Sequence, residues 1–290
     1  MLVDLLRTTT ADGLRLDGAL HSANPAPSRR APAVDVLLCL HGVGSSFYGS
    51  SLFAAITPRL MDAGISMLWA NTRGHDSVYT SHTPSGPRRC GAAYETVSDC
   101  RHDIAAWTDL LRQRGFERIG ILGHSLGAIK AVYSEAYHPQ TEVACVIAIS
   151  PPRLSYSAFG NGLQSATFFE SSLLANQSLE QGRPDDLIEV SFPFPLLITA
   201  AGFIDKYGPE EKYNLVKFAS RVRSPILFIY GTRELRHGGD AFAGVPDALR
   251  GLPDDGQSLT VATVPEADHN YTGRHEQLND EILGWLPTQL

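Results

Sequence analysis

Gly123-His124-Ser125-Leu126-Gly127 stands between an apolar run, Arg118 to Leu122, and a stretch of helical character, Leu126 to His138. A serine at a strand–turn–helix corner is thrust outward, where its hydroxyl can attack an electrophilic carbon. Such a corner forces the serine backbone into a strained conformation with positive φ. Side chains two positions before and after it would collide, so both positions favour glycine. The helix that follows offers free N–H groups and a dipole, both of which favour developing negative charge. The alternative is an idle serine in a glycine-rich turn, so the partners of this chemistry must be sought elsewhere in the chain.

A serine hydroxyl needs a base within hydrogen-bond reach, and histidine titrates near neutrality. Of ten histidines, His269 is the best placed, because it follows the last strand-like run, Ser258 to Val264, in the loop Pro265 to Asn270. His124 adjoins the serine, but neighbours on a sharp turn point different ways, so it reads as structural. His41 heads the turn His41-Gly42-Val43-Gly44-Ser45-Ser46 after the apolar run Val34 to Leu40 and reads as a brace of that loop. His75, Asp76 and His82 have an irregular spacing unlike that of a metal site, and no metal or cofactor is expected. The base in turn needs an acid that accepts its hydrogen bond and stabilises the imidazolium. Glu234 follows the strand-like Pro225 to Tyr230, with Asp240 as its main competitor and Asp205 third.

A His-Gly turn after an early strand, a serine corner in mid-chain, then Glu234 and His269 form one ordered set, and it resembles the α/β-hydrolase superfamily. The resemblance runs from about residue 34 to the end, with a less typical stretch near 151–222. It implies Ser125 as nucleophile, His269 as base, and Glu234 as the acid at a position where aspartate is usual. It also implies an oxyanion hole built from the N–H groups of Leu126 and Val43, with Gly44 as the alternative to Val43. The turn Asn71 to His75 and the capped layout are similar to some esterase groups, siderophore-type esterases among them. Related dehalogenases and epoxide hydrolases carry aspartate at the corner, which Ser125 disfavours. The implied activity is that of a serine hydrolase cleaving a carboxylic ester through an acyl-serine. Amide or thioester hydrolysis and acyl transfer would use the same machinery, and a non-catalytic ligand receptor is the reading from another class.

The elements that must position these residues follow from apolar patterning. Leu2 to Thr9 and Leu14 to His21 predict a hairpin around Ala11-Asp12-Gly13, and Asn24 to Pro32 an exposed loop. Ser50 to Ala63 predicts a helix, Ile65 to Ala70 a strand, and Asn71 to Tyr94 a long irregular stretch bordering the site mouth. Glu95 to Arg114 predicts a helix, Val143 to Ile149 a strand, and Asn279 to Trp285 a last helix. This alternation implies a mostly parallel sheet with helices on both faces. Pro151-Pro152 breaks the rhythm. Residues 1–150 and 223–290 are therefore expected to form the core, and 151–222, rich in aromatics such as Phe159, Phe168, Phe192 and Tyr207, an inserted cap. Those aromatics either line a pocket or bury the cap against the sheet, and residue by residue the second reading is favoured.

The chain has 290 residues, 43% hydrophobic, and a formal net charge of −7. With no basic stripe, nucleic acid is not an expected partner; a small-molecule ester is, and the oligomeric state is not legible. No run is long enough to span a membrane, and Asp4 interrupts the only apolar start, so no secretory signal is expected. Cys39, Cys90, Cys100 and Cys145 read as free thiols of a cytoplasmic protein.

Overall fold

In a computed structural model that describes residues 3–23, 33–253 and 258–289, the order of elements follows the apolar runs closely. The expected loop 24–32 and residues Met1 and Leu2 lie outside the described residues. The hairpin forms from β1 (Asp4–Thr9) and β2 (Arg15–His21), paired antiparallel. Then come β3 (Val36–Leu40), α1 (Ser51–Asp62) and β4 (Ser66–Ala70). Helix α1 starts where Ser50 accepts the Phe53 N–H, a side-chain cap for one of the orphan donors of the first turn.

The stretch 71–94 is not irregular throughout, as expected, but holds a hairpin of β5 (Tyr79–Thr83) and β6 (Gly86–Cys90). Its strands are polar and short, so no alternation betrays them, and the turn rests on Gly86 at φ 116°, a conformation that glycine adopts freely. Helix α2 begins at Cys100 (Cys100–Gln113), later than expected, after a 3-10 turn at Val97–Asp99. There Asp205 accepts the Val97 N–H and Tyr213 the Ser98 N–H, at 3.3 and 3.0 Å.

Next follow β7 (Ile119–His124), α3 (Leu126–Tyr137) and β8 (Val143–Ile149). Beyond Pro151-Pro152 the chain leaves the sheet. It forms α4 (Tyr156–Asn161), α5 (Ser165–Glu180), the hairpin β9 (Leu187–Val190) and β10 (Leu196–Thr199), and α6 (Ala200–Tyr207). It returns with β11 (Ile226–Gly231), α7 (Thr232–His237), α8 (Val245–Arg250), β12 (Leu259–Val264) and α9 (His275–Gln289). The short helices α7 and α8 carry too few periodic positions to be read from sequence.

The main sheet runs β1-β2-β4-β3-β7-β8-β11-β12, parallel from β4 onward. Every residue of β3 is buried, because both faces are covered. Val36, Leu38 and Leu40 pack with Ile104, Trp107 and Ile129 of α2 and α3, whereas Leu37 and Cys39 pack with Phe53 and Ile56 of α1 and Ile282 of α9. Phe159, Phe168, Phe192 and Phe203 of the 151–222 stretch are buried in the α2/α3 core. Phe159 and Phe168 each meet Phe192 edge-on at 4.9 Å. Among the described residues no helix is long and apolar enough to cross a membrane, and the four cysteines are free and buried.

Candidate active site

Ser125 occupies the corner between β7 and α3 with φ 56° and ψ −124°, the left-handed strain that a protruding serine demands. Three glycines make the corner possible. A β-carbon built on Gly123 would lie 2.3 Å from the Gly127 carbonyl oxygen, and one on Gly127 would lie 2.1 Å from that of Leu40. Helix α3 is thereby drawn against the end of β3. On that end, a β-carbon at Gly42 would lie 3.2 Å from the Ser125 β-carbon, so the turn after β3 passes close beside the hydroxyl.

Glu234 and His269, the candidate acid and base, come from neighbouring strand ends. Arg233 and Glu234, in the first turn of α7, donate their N–H groups to the Ala267 carbonyl at 3.1 and 3.2 Å. Thr232 Oγ1 accepts the Glu266 N–H at 2.8 Å. Gly231 permits this stapling, since a β-carbon there would lie 2.3 Å from the Ala267 oxygen. The loop beyond is shaped by Asp268, whose carboxylate accepts the N–H groups of Asn270 and Thr272, as aspartate does in tight turns. These contacts bring the Glu234 Oε1 into a short hydrogen bond with His269 Nδ1. Glu234 is buried, in a helix rather than a loop, whereas the His269 ring is partly open.

Sequence reading missed two residues here. Ser150, at the end of β8, donates to Glu234 Oε2 at 2.6 Å, and Tyr271 lies 3.1 Å from the Ser150 hydroxyl. Tyr271 itself donates to the Ile229 carbonyl at 3.0 Å. Neither belongs to a motif, and only the strand-end position of Ser150 hints at a role. Their effect is to hold the second carboxylate oxygen, leaving the first for the imidazole.

The other candidates have partners of their own, although Asp240 also lines the cavity that Ser125 and His269 share. Asp240 accepts the Leu163 N–H at 2.9 Å, and Asp205 accepts from Tyr213 at 2.8 Å. His124 donates from Nε2 to the His269 carbonyl at 2.8 Å. Burial first, then the neighbouring His269, push its pKa down to about 3, so it braces the loop as a neutral ring. His41 contacts the Gly42 carbonyl at 2.8 Å and thus braces its turn. His75 pairs with Asp76 at 2.8 Å and stacks on Tyr79.

Val43 and Leu126 line the same cavity as Ser125. Two cavities meet at Ser125, Val43 and His269. One, of about 260 Å³, is walled by Leu154, Phe159, Phe192, Tyr207 and Phe242. The other, of about 290 Å³, is bordered by Ser45, Ser50, Ser51 and Asn270. Ser77 and Ala92, which flank the β5–β6 hairpin, border a third cavity with Val43 and Gly44, so the 71–94 stretch does reach the rim of this region.

No protein-family model and no curated protein matches the sequence. Solved structures do. The alpha/beta hydrolase GrgF from Penicillium sp. sh18 is 13% identical with a TM-score of 0.69, covering 100% of this chain and 99% of its own. Est1E from Butyrivibrio proteoclasticus, with ferulic acid bound, is 15% identical with a TM-score of 0.65, over 97% and 98%. A soluble variant of monoglyceride lipase from Saccharomyces cerevisiae is 14% identical with a TM-score of 0.66, over 100% and 96%. None of the three is named as a siderophore-type esterase. The eight-stranded, mostly parallel sheet and these likenesses together establish that the chain has the α/β-hydrolase fold.

Proposed function

We propose that the protein is a serine hydrolase of carboxylic esters, with Ser125 as nucleophile, His269 as base, Glu234 as acid, and the N–H groups of Val43 and Leu126 as oxyanion donors. One observation carries this reading: a serine held at a left-handed strand–helix corner lines the same cavity as a histidine whose other nitrogen is bonded to a buried carboxylate. Ser125 attacks the carbonyl carbon as His269 Nε2 takes its proton, and the two N–H groups hold the oxyanion. His269 then protonates the departing alkoxide. Water, activated by the same ring, attacks the acyl-serine and frees the acid.

The 151–222 stretch acts as the cap over this site, since Leu154, Phe159, Phe192 and Tyr207 wall the apolar cavity. A cavity of about 260 Å³ with such walls suits an apolar acyl group, and the serine-lined cavity suits a more polar alcohol portion. The Est1E and monoglyceride lipase likenesses fit ester chemistry.

The test is a fluorophosphonate probe with p-nitrophenyl esters of graded acyl length. The folded protein is expected to be labelled at Ser125 and to hydrolyse the esters, and Ser125→Ala to do neither. An unlabelled folded protein, or Ser125→Ala retaining turnover, would reject the proposal; the first would favour a ligand receptor on the same fold.

A further inference from the structure

Behind the turn that follows β3 lies a fully buried ionic cluster. Lys130 on α3 pairs with Glu95, and Lys206 on α6 lies 3.6 Å from the same carboxylate; none of the three is more than 2% exposed. Burial drives the Glu95 carboxyl up, but the two lysines outweigh it and the net shift is down. Gly74 lies flat against this carboxylate, with no room for a β-carbon. Buried charges are costly to hold, and this group contains one more cation than anion.

The excess charge has an outlet along a chain of hydrogen bonds. Lys130 Nζ donates to Thr72 Oγ1 at 2.9 Å. The Thr72 N–H donates to His41 Nε2 at 3.1 Å, with the Thr72 hydroxyl 3.3 Å from the same nitrogen. His41 Nε2 is therefore an acceptor, so the ring proton is on Nδ1. Burial first, and then Lys130, lower its pKa to about 3, which keeps the ring neutral. Nδ1–H donates to the Gly42 carbonyl at 2.8 Å. That carbonyl belongs to the peptide whose other end is the Val43 N–H. Every donor in the chain points the same way, from the ammonium to the amide beside Ser125.

We propose that Lys130 is a positioning residue for the oxyanion hole: through Thr72 and His41 it fixes the plane of the Gly42–Val43 peptide and polarises its N–H toward the developing oxyanion. Hydrogen bonds in series strengthen one another, and a carbonyl that accepts strongly makes its own N–H a better donor. Glu95 holds the ammonium in place and, through Lys206, ties the arrangement to α6. The inference rests on the proposed hydrolase activity, and on Val43 as a donor in it.

The experiment compares Lys130→Met, Thr72→Val and the double variant Lys130→Met/Glu95→Gln with the full-length wild type. Readouts are kcat, KM, the affinity of a trifluoromethyl ketone whose hemiketal oxyanion mimics the intermediate, and Tm. Loss of one oxyanion donor lowers kcat about 10²–10³-fold, so weakening one is expected to lower it about 10-fold or more. KM should hold within about 3-fold while the ketone weakens in step with kcat, as for an interaction made only in the transition state. Thr72→Val breaks the chain and leaves every charge in place, so it should lose kcat with Tm near that of wild type. The double variant takes away the partner that Lys206 keeps in Lys130→Met, so it should lower Tm further and leave kcat where Lys130→Met left it. A kcat that follows Tm from Lys130→Met to the double variant, or a Thr72→Val enzyme with wild-type kcat, would overturn the inference. If Lys130→Met does not fold, Thr72→Val decides. A wild type that hydrolyses esters through Ser125 but ignores Thr72→Val refutes this proposal alone, whereas an inactive wild type refutes the hydrolase reading beneath it.

Discussion

Replacing Glu234 and its main competitor for the acid, Asp240, each by its amide separates the two. Glu234 Oε1 accepts from His269 Nδ1, and Oε2 accepts the Ser150 hydroxyl at 2.6 Å. Glutamine fits the same space. Its oxygen can face the imidazole while its NH₂ faces Ser150, whose hydroxyl then turns toward Tyr271, 3.1 Å away. In the proposed mechanism, what is lost is the negative charge that stabilises the imidazolium in the transition state, at a carboxylate 1% exposed. If the amide settles the other way round, the ring tautomer is lost as well. Removing an acid of this kind costs on the order of 10³–10⁴ in kcat, about 4–5.5 kcal/mol. Asp240 spends its carboxylate on the Leu163 N–H. Asparagine offers the same donor an oxygen, so kcat/KM should stay within about 3-fold of wild type. The assay is kcat/KM on a p-nitrophenyl ester near pH 8, with circular dichroism to confirm folding. A Glu234→Gln enzyme retaining more than about a tenth of wild-type activity, beside an inactive Asp240→Asn, would refute the assignment.

Gly127→Ala would place a methyl group 2.1 Å from the Leu40 carbonyl oxygen, and neither backbone can retreat without parting α3 from β3. Overpacking of this severity should cost about 3 kcal/mol or more, and an unchanged midpoint in chemical denaturation would contradict it. Glu135, buried on α3, has its carboxyl pushed up to about 7, first by burial, with Glu142 adding repulsion. The native state therefore holds this proton to higher pH than the unfolded chain, whose value is near 4.5. Its contribution to stability is fully present below that value and is lost as pH rises to about 7. Glu135→Gln should flatten the stability profile over this window and leave the protein about 3 kcal/mol more stable above it. Parallel denaturation midpoints for the two proteins across pH 4.5–7 would rule this out.

By itself the sequence determined those parts whose physics is local. The apolar runs Val34–Leu40, Arg118–Leu122 and Pro225–Tyr230 read as strands, the first of them covered on both faces, and Gly123-His124-Ser125-Leu126-Gly127 as a corner, because steric exclusion at neighbouring residues writes itself into residue type. The likeness of motif order then brought out His269 and Glu234. Tertiary structure alone decided the rest, since those contacts join residues distant in the chain. Ser150 reaches Glu234 only once β8 and β11 lie side by side. The hairpin at Tyr79–Cys90 and the helix Thr232–His237 are too short and polar to leave a period. Lys130, Glu95 and Thr72 are ordinary residue types in sequence, and become a buried ionic chain only when α3, the turn after β4 and the segment just before the 3-10 turn close around them. Burial and pairing are properties of that enclosure, which no run of neighbouring residues encodes.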